Sequence, residues 1–512
     1  MQPRTDAGRR WSALMVLILP VLIISMDATI LGFAVPSLSE TLGPTSSQLL
    51  WIVDIYSFVL AGLLVTMGAL GDRIGRRKLL MFGAAGFSVA SVLAAFSTSP
   101  EMLIASRAML GVAGATLMPS TLSLIRNVFL DERERQTAIA VWAAAFAVGS
   151  ALGPIVGGFL LEHFWWGSVF LVGVPVTATL LLVAPRLVPE SRDPKPGAFD
   201  VTSAALSLVT MLPIVYAIKI FAEHGLSTVV VTAAVIGAVA GFVFVRRQQR
   251  ISDPMVDVSL FAVPRFRMAV SGNLIAAFGF AGSLFFVTQY LQLVVGMSPL
   301  RAGLQLLPAA VSSVTFTMLA PVVARRFGSF TVIAAGLTMG GIGFAMLTQI
   351  TAEGSVALTT AAVIVLNAGL GASMTVALDG ILAAIPAERA GAGASVSETA
   401  IELGFALGTA VLGSIAAAVY RGGFVAIDGV PSEAIEASRD TLGAAIGVAD
   451  DLGGDAGAAL RDAADTAFVD GFHAAALTAS IALVIVALWA LRTRRQDSVV
   501  VEPASLSVES VR

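Results

Sequence analysis

Cysteine is absent from this chain of 512 residues, histidine occurs three times and tyrosine four, and only 13% of the residues are charged. Each scarcity excludes something. Without cysteine there are no disulfides, thiolate metal sites or iron–sulfur clusters. His163, His224 and His473 fall at the ends of apolar stretches, so no Cys/His metal constellation forms. A soluble domain carries about 25% charged residues. The low charge here, with 57% hydrophobic residues and a mean hydropathy of +0.88, describes a polytopic membrane protein. No G-x-x-x-x-G-K-[ST] loop is present, which leaves ATP-driven pumping without a sequence basis. No polar stretch is long enough for a soluble catalytic domain, so an enzyme is not expected, nor a nucleic-acid partner.

What is present is apolar sequence in lengths that cross a bilayer, which takes about 20 residues. Fourteen windows qualify: 13–36, 50–70, 79–98, 102–124, 137–161, 168–187, 201–220, 227–245, 268–293, 302–324, 330–350, 356–381, 397–420 and 471–491. The first is too long for the apolar core of a signal peptide and no A-x-A site closes it, so it reads as an uncleaved helix. With the N-terminus inside, cytoplasmic segments hold 25 of the 31 basic residues. Five lie in outer segments (Lys219, Arg301, Arg421, Arg439 and Arg461) and Arg107 lies within a span. This asymmetry predicts that both termini are cytoplasmic. The windows divide as six, two and six. The expected units are an N-terminal bundle over 1–190, a two-helix linker hairpin over 200–246, a C-terminal bundle over 265–495 and a disordered cytoplasmic tail over 496–512. The acidic loop 421–470 lies outside and reads as a solvated tether that could carry short helices.

Five ionisable side chains sit inside these spans: Asp27, Asp54, Arg107, Glu398 and Glu402. A charge near the bilayer centre costs roughly 2.5–3.5 kcal/mol by insertion measurements. Such residues by default mark a path for protons or cations. Asp27 has no basic residue near it in sequence. Asp54 reads as an acid about one turn from the outer surface, and Asp379 as one that reaches water at the cytoplasmic end. Glu398 and Glu402 are spaced i, i+4 and share a helix face. Two carboxylates there cannot both ionise cheaply, which suits proton exchange. Trp51, Tyr56, Trp142, Phe146, Phe285, Phe286 and Tyr290 are candidates to wall a site for flat organic cations, with Gln289 and Gln292 as polar groups facing it.

Several motifs carry more than composition. Gly68-Ala-Leu-Gly-Asp72-Arg73-Ile-Gly75-Arg76-Arg77-Lys78 resembles the signature loop of the major facilitator superfamily. Arg107, in Leu103-Ile-Ala-Ser-Arg107-Ala-Met-Leu-Gly111, resembles the superfamily's arginine motif, which is associated with proton transfer. Gly149-Ser-Ala-Leu-Gly153-Pro154-Ile-Val-Gly157-Gly158 is similar to the motif of its antiporters. Met26-Asp27-Ala-Thr29-Ile-Leu-Gly32-Phe-Ala34-Val-Pro36 resembles the first-helix signature of the fourteen-helix drug:proton antiporters, with Gly32 where asparagine is usual. Leu50-Trp51-Ile-Val-Asp54-Ile-Tyr56 and Ser397-Glu398-Thr-Ala-Ile-Glu402 are similar to the QacA, SmvA and LfrA kind, most nearly the mycobacterial LfrA type.

The resemblance implies an all-α major facilitator fold of two six-helix bundles plus two extra helices. It further implies a proton-coupled antiporter in the cytoplasmic membrane, working as a monomer among lipids. Such a protein exports quaternary ammonium compounds, dyes and fluoroquinolones by alternating access, and it uses the proton gradient rather than a cofactor. An exporter of one metabolite, antibiotic or lipid on the same fold is the alternative. Asp72, Arg73 and Arg76 would then gate the cytoplasmic ends of the two halves.

Overall fold

The computed structural model describes residues 7–192, 200–251, 254, 257–383, 390–424, 427 and 429–500. Among them, fourteen helices are long and apolar enough to span a membrane. The first six are α1 Gly8–Leu42, α2 Ser46–Leu64, α3 Arg76–Ala95, α4 Pro100–Val128, α5 Thr137–His163 and α6 Ser168–Leu187. A pair follows, α7 Val201–Phe221 and α8 Thr228–Gln248. The rest are α9 Pro264–Val294, α10 Pro299–Phe327, α11 Ser329–Leu347, α12 Val356–Ile381, α13 Val396–Gly423 and α14 Gly454–Thr493. No strand occurs among the described residues. A bilayer offers no water to unpaired backbone groups, which leaves helices as the means of crossing for such a chain.

The helix ends are written in the sequence. Thr45 and Gln48 form a reciprocal capping box at the start of α2, and the hydroxyls of Ser99, Ser227 and Ser298 cap α4, α8 and the Pro299 helix. Each satisfies a backbone N–H that would otherwise lack a partner. Gly75, at φ 110°, makes the sharp turn between the long α2 helix and α3, where a side chain would be strained and would strike Glu190. Beside it Arg76 closes on Asp72 (2.8 Å), and Arg77 reaches Val188 O (3.0 Å). The 71–78 loop is thereby pinned to the end of α6.

Small residues bring the helices together. Gly149 and Gly153 of α5 lie against Ser25, Leu22 O and Thr29 of α1, and Gly157 against Ile30. Gly158 meets Pro299 and Leu300 of α10, and Gly303 meets Pro154 O in return. The antiporter-like motif therefore welds α5 to α1 and, at one end, to the other half of the molecule. Without a hydrophobic drive between helices in lipid, such close van der Waals approach is what holds them.

The 421–470 segment is not a free tether. It contains helices Ser432–Ser438 and Leu442–Leu452, and from Gly454 onward it is already the start of α14. Ser46 Oγ bonds Asp440 O, Gly443 rests on Ser39, and Tyr420 donates to Ser438 O (3.0 Å). At the other terminus the last helix runs to Val500, into the stretch read from sequence as disordered. Residues 501–512 lie outside the described part.

Candidate functional site

A cavity of about 380 Å³ lies between α1, α2, α4 and α5 on one side and α9, α10, α12 and α13 on the other. That is the size of a drug-sized pocket. Tyr56, Arg107, Phe146 and Pro154 face it from the first half, with Asp54 in the same wall but its side chain enclosed, and Phe280, Phe285, Asn367, Met374 and Phe405 face it from the second. The wall is mainly apolar and aromatic, with its charges gathered on the α2–α4 side.

Arg107 organises that side. Its guanidinium donates to Asp27 Oδ2 at 2.6 Å, to Ile52 O at 3.1 Å and to Val53 O at 3.4 Å, and lies 4.7 Å from the Tyr56 ring centre. The Arg107 and Asp27 side chains are 2% and 10% exposed. Asp27, which looked isolated in sequence, thus has a base from α4 as its partner. The planar fork of arginine meets a carboxylate and two carbonyls at once, which a lysine could not do.

Asp54 is a second correction. It is buried rather than close to water, and Lys219 Nζ stands 3.0 Å from both of its carboxylate oxygens. Both side chains are fully enclosed. Lys219, counted from sequence among the outer charges, is an intramembrane residue of α7. Trp51 packs over this ammonium at 4.0 Å instead of facing the cavity.

Glu402 is buried, and its Oε2 has no hydrogen-bond partner. The Ser57 hydroxyl, which lines the cavity, bonds to it, so this carboxylate sits just behind the wall. Glu398 is half-buried one turn away. The α13 helix reaches this position because Gly404 and Gly408 press onto the backbone of α9 at Leu274 and Phe278. A π-helical turn, Gly408–Leu412, follows directly. Such turns are frequent at functional sites.

The other candidate walls divide. Tyr56, Phe146 and Phe285 face the cavity. Phe286 instead stacks on Phe472 (5.1 Å), Tyr290 donates to Thr351 O (2.8 Å), and Trp142 donates to Thr121 Oγ1 (3.1 Å). The amides of Gln289 and Gln292 turn back onto Phe285 O and Thr288 O of their own helix, because buried amides find partners locally when none lies opposite. Gln289 does line a smaller pocket near Tyr420 and Phe468. Asp379 is exposed at the end of α12. Gly68 touches Pro119, and Asp72 and Arg76 pair with each other rather than with the second half.

Sequence reasoning missed Phe280, Phe405, Asn367, Met374, Ser57 and Lys219. Only Lys219 left a signal, as a lone ammonium inside the 201–220 window while Asp54 lacked a partner. Helix rotation decides the others.

The model of the family described as Major Facilitator Superfamily matches residues 17–409. The chain belongs to the major facilitator superfamily. It is 50% identical over 473 residues to the multidrug efflux pump LfrA of Mycolicibacterium smegmatis, covering 92% of this chain and 94% of that one. It is 34% identical to the methyl viologen resistance protein SmvA of Salmonella typhimurium, covering 94% and 98%. It is 30% identical to a tetracenomycin C resistance and export protein of Streptomyces glaucescens, covering 96% and 93%. Among solved structures, a bacterial homologue of the lysosomal transporter Spinster superposes with a TM-score of 0.68 at 18% identity, covering 96% of this chain and 98% of that one. This major facilitator protein fits the drug:proton antiporter family within the superfamily. It is a multi-pass membrane transporter and not an enzyme.

Proposed function

We propose that the protein exports drugs, and in particular amphipathic organic cations such as quaternary ammonium compounds and dyes, in exchange for protons. The observation that carries this reading is an aromatic, mainly apolar cavity with buried acids beside it in both halves. Flat cations need an aromatic face and a counter-charge, and cation–π contacts contribute about 0.5–2 kcal/mol each. Asp27 and Asp54 already have internal bases, while Glu402 keeps an unpartnered oxygen beside Ser57. Glu402, with Glu398 one turn away, is therefore the pair to hold a proton in one state and a cation's charge in another. A proton arriving from outside neutralises the pair and releases the cation, and two half-molecules rocking about the cavity give alternating access. The multidrug and methyl viologen relatives support the substrate class.

In this reading the protein sits in the cytoplasmic membrane as a monomer, with both termini and the 71–78 loop inside. The chain contains no native cysteine, so single cysteines report topology cleanly. Exposed Glu433, changed to cysteine, should be labelled in intact cells by an impermeant maleimide, and Lys78→Cys only after permeabilisation. The reverse pattern would refute this orientation.

The coupling itself is tested with purified protein in weak buffer. Adding tetraphenylphosphonium should release protons from the wild type, and the Glu398→Gln/Glu402→Gln protein should release none. Binding without proton release would refute antiport. The tetracenomycin relative favours a second reading, a pump for one antibiotic. A pump-deficient cell that gains resistance to a single compound across a broad panel would select it.

A further inference from the structure

The α7–α8 hairpin has no part in the cycle just described, yet it sends a charged side chain into the middle of the molecule. We propose that Lys219 is a tethered counter-cation that fills a cation site built by Asp54 and Trp51. It thereby sets how many free negative charges a substrate meets. This rests on the reading of the protein as a cation exporter.

The geometry is that of a ligand in its site. The ammonium lies 3.0 Å from each Asp54 oxygen and 4.0 Å from the Trp51 ring centre. A carboxylate and an aromatic face are the two contacts by which an organic cation is recognised. Here the protein's own ammonium takes both. Asp54 belongs to the cavity wall with its carboxylate enclosed behind that wall, where Lys219 reaches it from the hairpin side. Both groups are fully enclosed, so Lys219 does not simply snorkel to a surface.

The hairpin is anchored so that the ammonium is delivered at a fixed depth. Ser207 of α7 donates to Gly62 O of α2 (3.0 Å), and Leu208 packs on Gly62. Val215 and Met211 of α7 pack with Phe58 of α2 and Ala406 of α13. At the hairpin's base Arg247 holds Asp200 at 2.9 Å. Burial opposes the charge of Asp200, but bonds from Arg247 and Ser203 outweigh it and hold its pKa at about 2, so this clasp persists through the physiological pH range. The α7 helix therefore touches both halves at the level of the acids.

The charge balance follows. Asp27 is matched by Arg107 and Asp54 by Lys219, which leaves the acids of α13 for the substrate and the proton. Removing the Lys219 charge would open Asp54 to the cavity as one further carboxylate. A rivet with a purely structural role would not alter the preference for substrate charge.

Binding of the monocation tetraphenylphosphonium and the dication methyl viologen to the full-length protein in detergent tests this. Lys219→Met should raise affinity for both, by about tenfold for the dication, the order set by one added charge at partial burial. Asp54→Asn/Lys219→Met should lose that gain. Asp54→Asn alone, which leaves a bare ammonium beside the cavity, should bind both cations more weakly than the double variant does, the dication most. If Lys219→Met does not fold, the comparison of Asp54→Asn with the double variant still decides. Unchanged affinities in Lys219→Met, a gain that survives without Asp54, or a double variant no better than Asp54→Asn would overturn the inference. Wild-type protein that binds neither cation would instead overturn the cation-export reading on which it rests.

Discussion

Asp27→Asn should abolish export and, unlike a change at a free acid, also lower the yield of folded protein. The reason is its partner. Arg107 is 2% exposed and, among the described residues, its 2.6 Å bond to Asp27 is its one ion pair; its other contacts are to carbonyls and a ring. Removing one member of a buried pair costs about 3–5 kcal/mol, because the other charge stays buried. That approaches the whole stability of an ordinary domain, about 5–15 kcal/mol. A second change separates stability from function. Asp27→Asn/Arg107→Met removes both charges and should regain most of the lost thermal stability in detergent, because a neutral pair of similar size fills the space. It should remain inactive in a resistance assay. Full resistance in cells carrying Asp27→Asn would rule the pair out of transport. A double variant as unstable as the single would show that the ion pair is not what the single change broke.

The second large effect belongs to Glu398 and Glu402. Changing either to glutamine should weaken export of a dication more than of a monocation, and changing both should stop both. Two carboxylates supply charge for a dication, or for a monocation and a proton together; one supplies charge for a monocation. The net worth of a hydrogen bond to a charged group, about 1.5–3 kcal/mol, is a factor of roughly ten to a hundred in affinity. Glu402→Gln should show the larger loss, since Glu402 is the more buried and adjoins the cavity through Ser57. Resistance to methyl viologen and to tetraphenylphosphonium in matched strains reads this directly. Equal losses for the two probes in the single variants would contradict the charge count, as would an active double variant.

The fold was legible because bilayer physics leaves few choices. Each of the fourteen apolar windows coincides with a helix to within a few residues at its ends, since length and hydropathy largely decide whether a segment crosses. The apolar windows did not place the helix starts, which the structure shows capped by the hydroxyls of Thr45, Ser99, Ser227 and Ser298. The glycine spacing from Gly149 to Gly158 announced a close helix contact, because only small residues permit one in lipid. The motif loop 68–78 and the span signatures announced the superfamily.

Other features belong to the tertiary structure alone. An acid in an apolar helix is visible in sequence, but its partner is not, since Asp27 and Arg107 are 80 residues apart and Asp54 and Lys219 are 165. Helix rotation could not be derived either. Hydrophobicity is nearly uniform around these helices, so the pattern does not say which aromatic faces the cavity. Phe280 and Phe405 do, while Phe286, Tyr290 and Trp142 are committed to neighbouring helices. The acidic 421–470 segment shows the same limit, because its composition reads as a solvated loop and only its seat on Ser39 and Ser46 makes it part of the packed end. The sequence by itself determined that this protein spans a membrane fourteen times and places ionisable residues within those spans. Which charges neutralise one another, and which stay unpaired, was decided by side chains brought together from distant helices, where a few ångströms in low dielectric outweigh anything local sequence specifies.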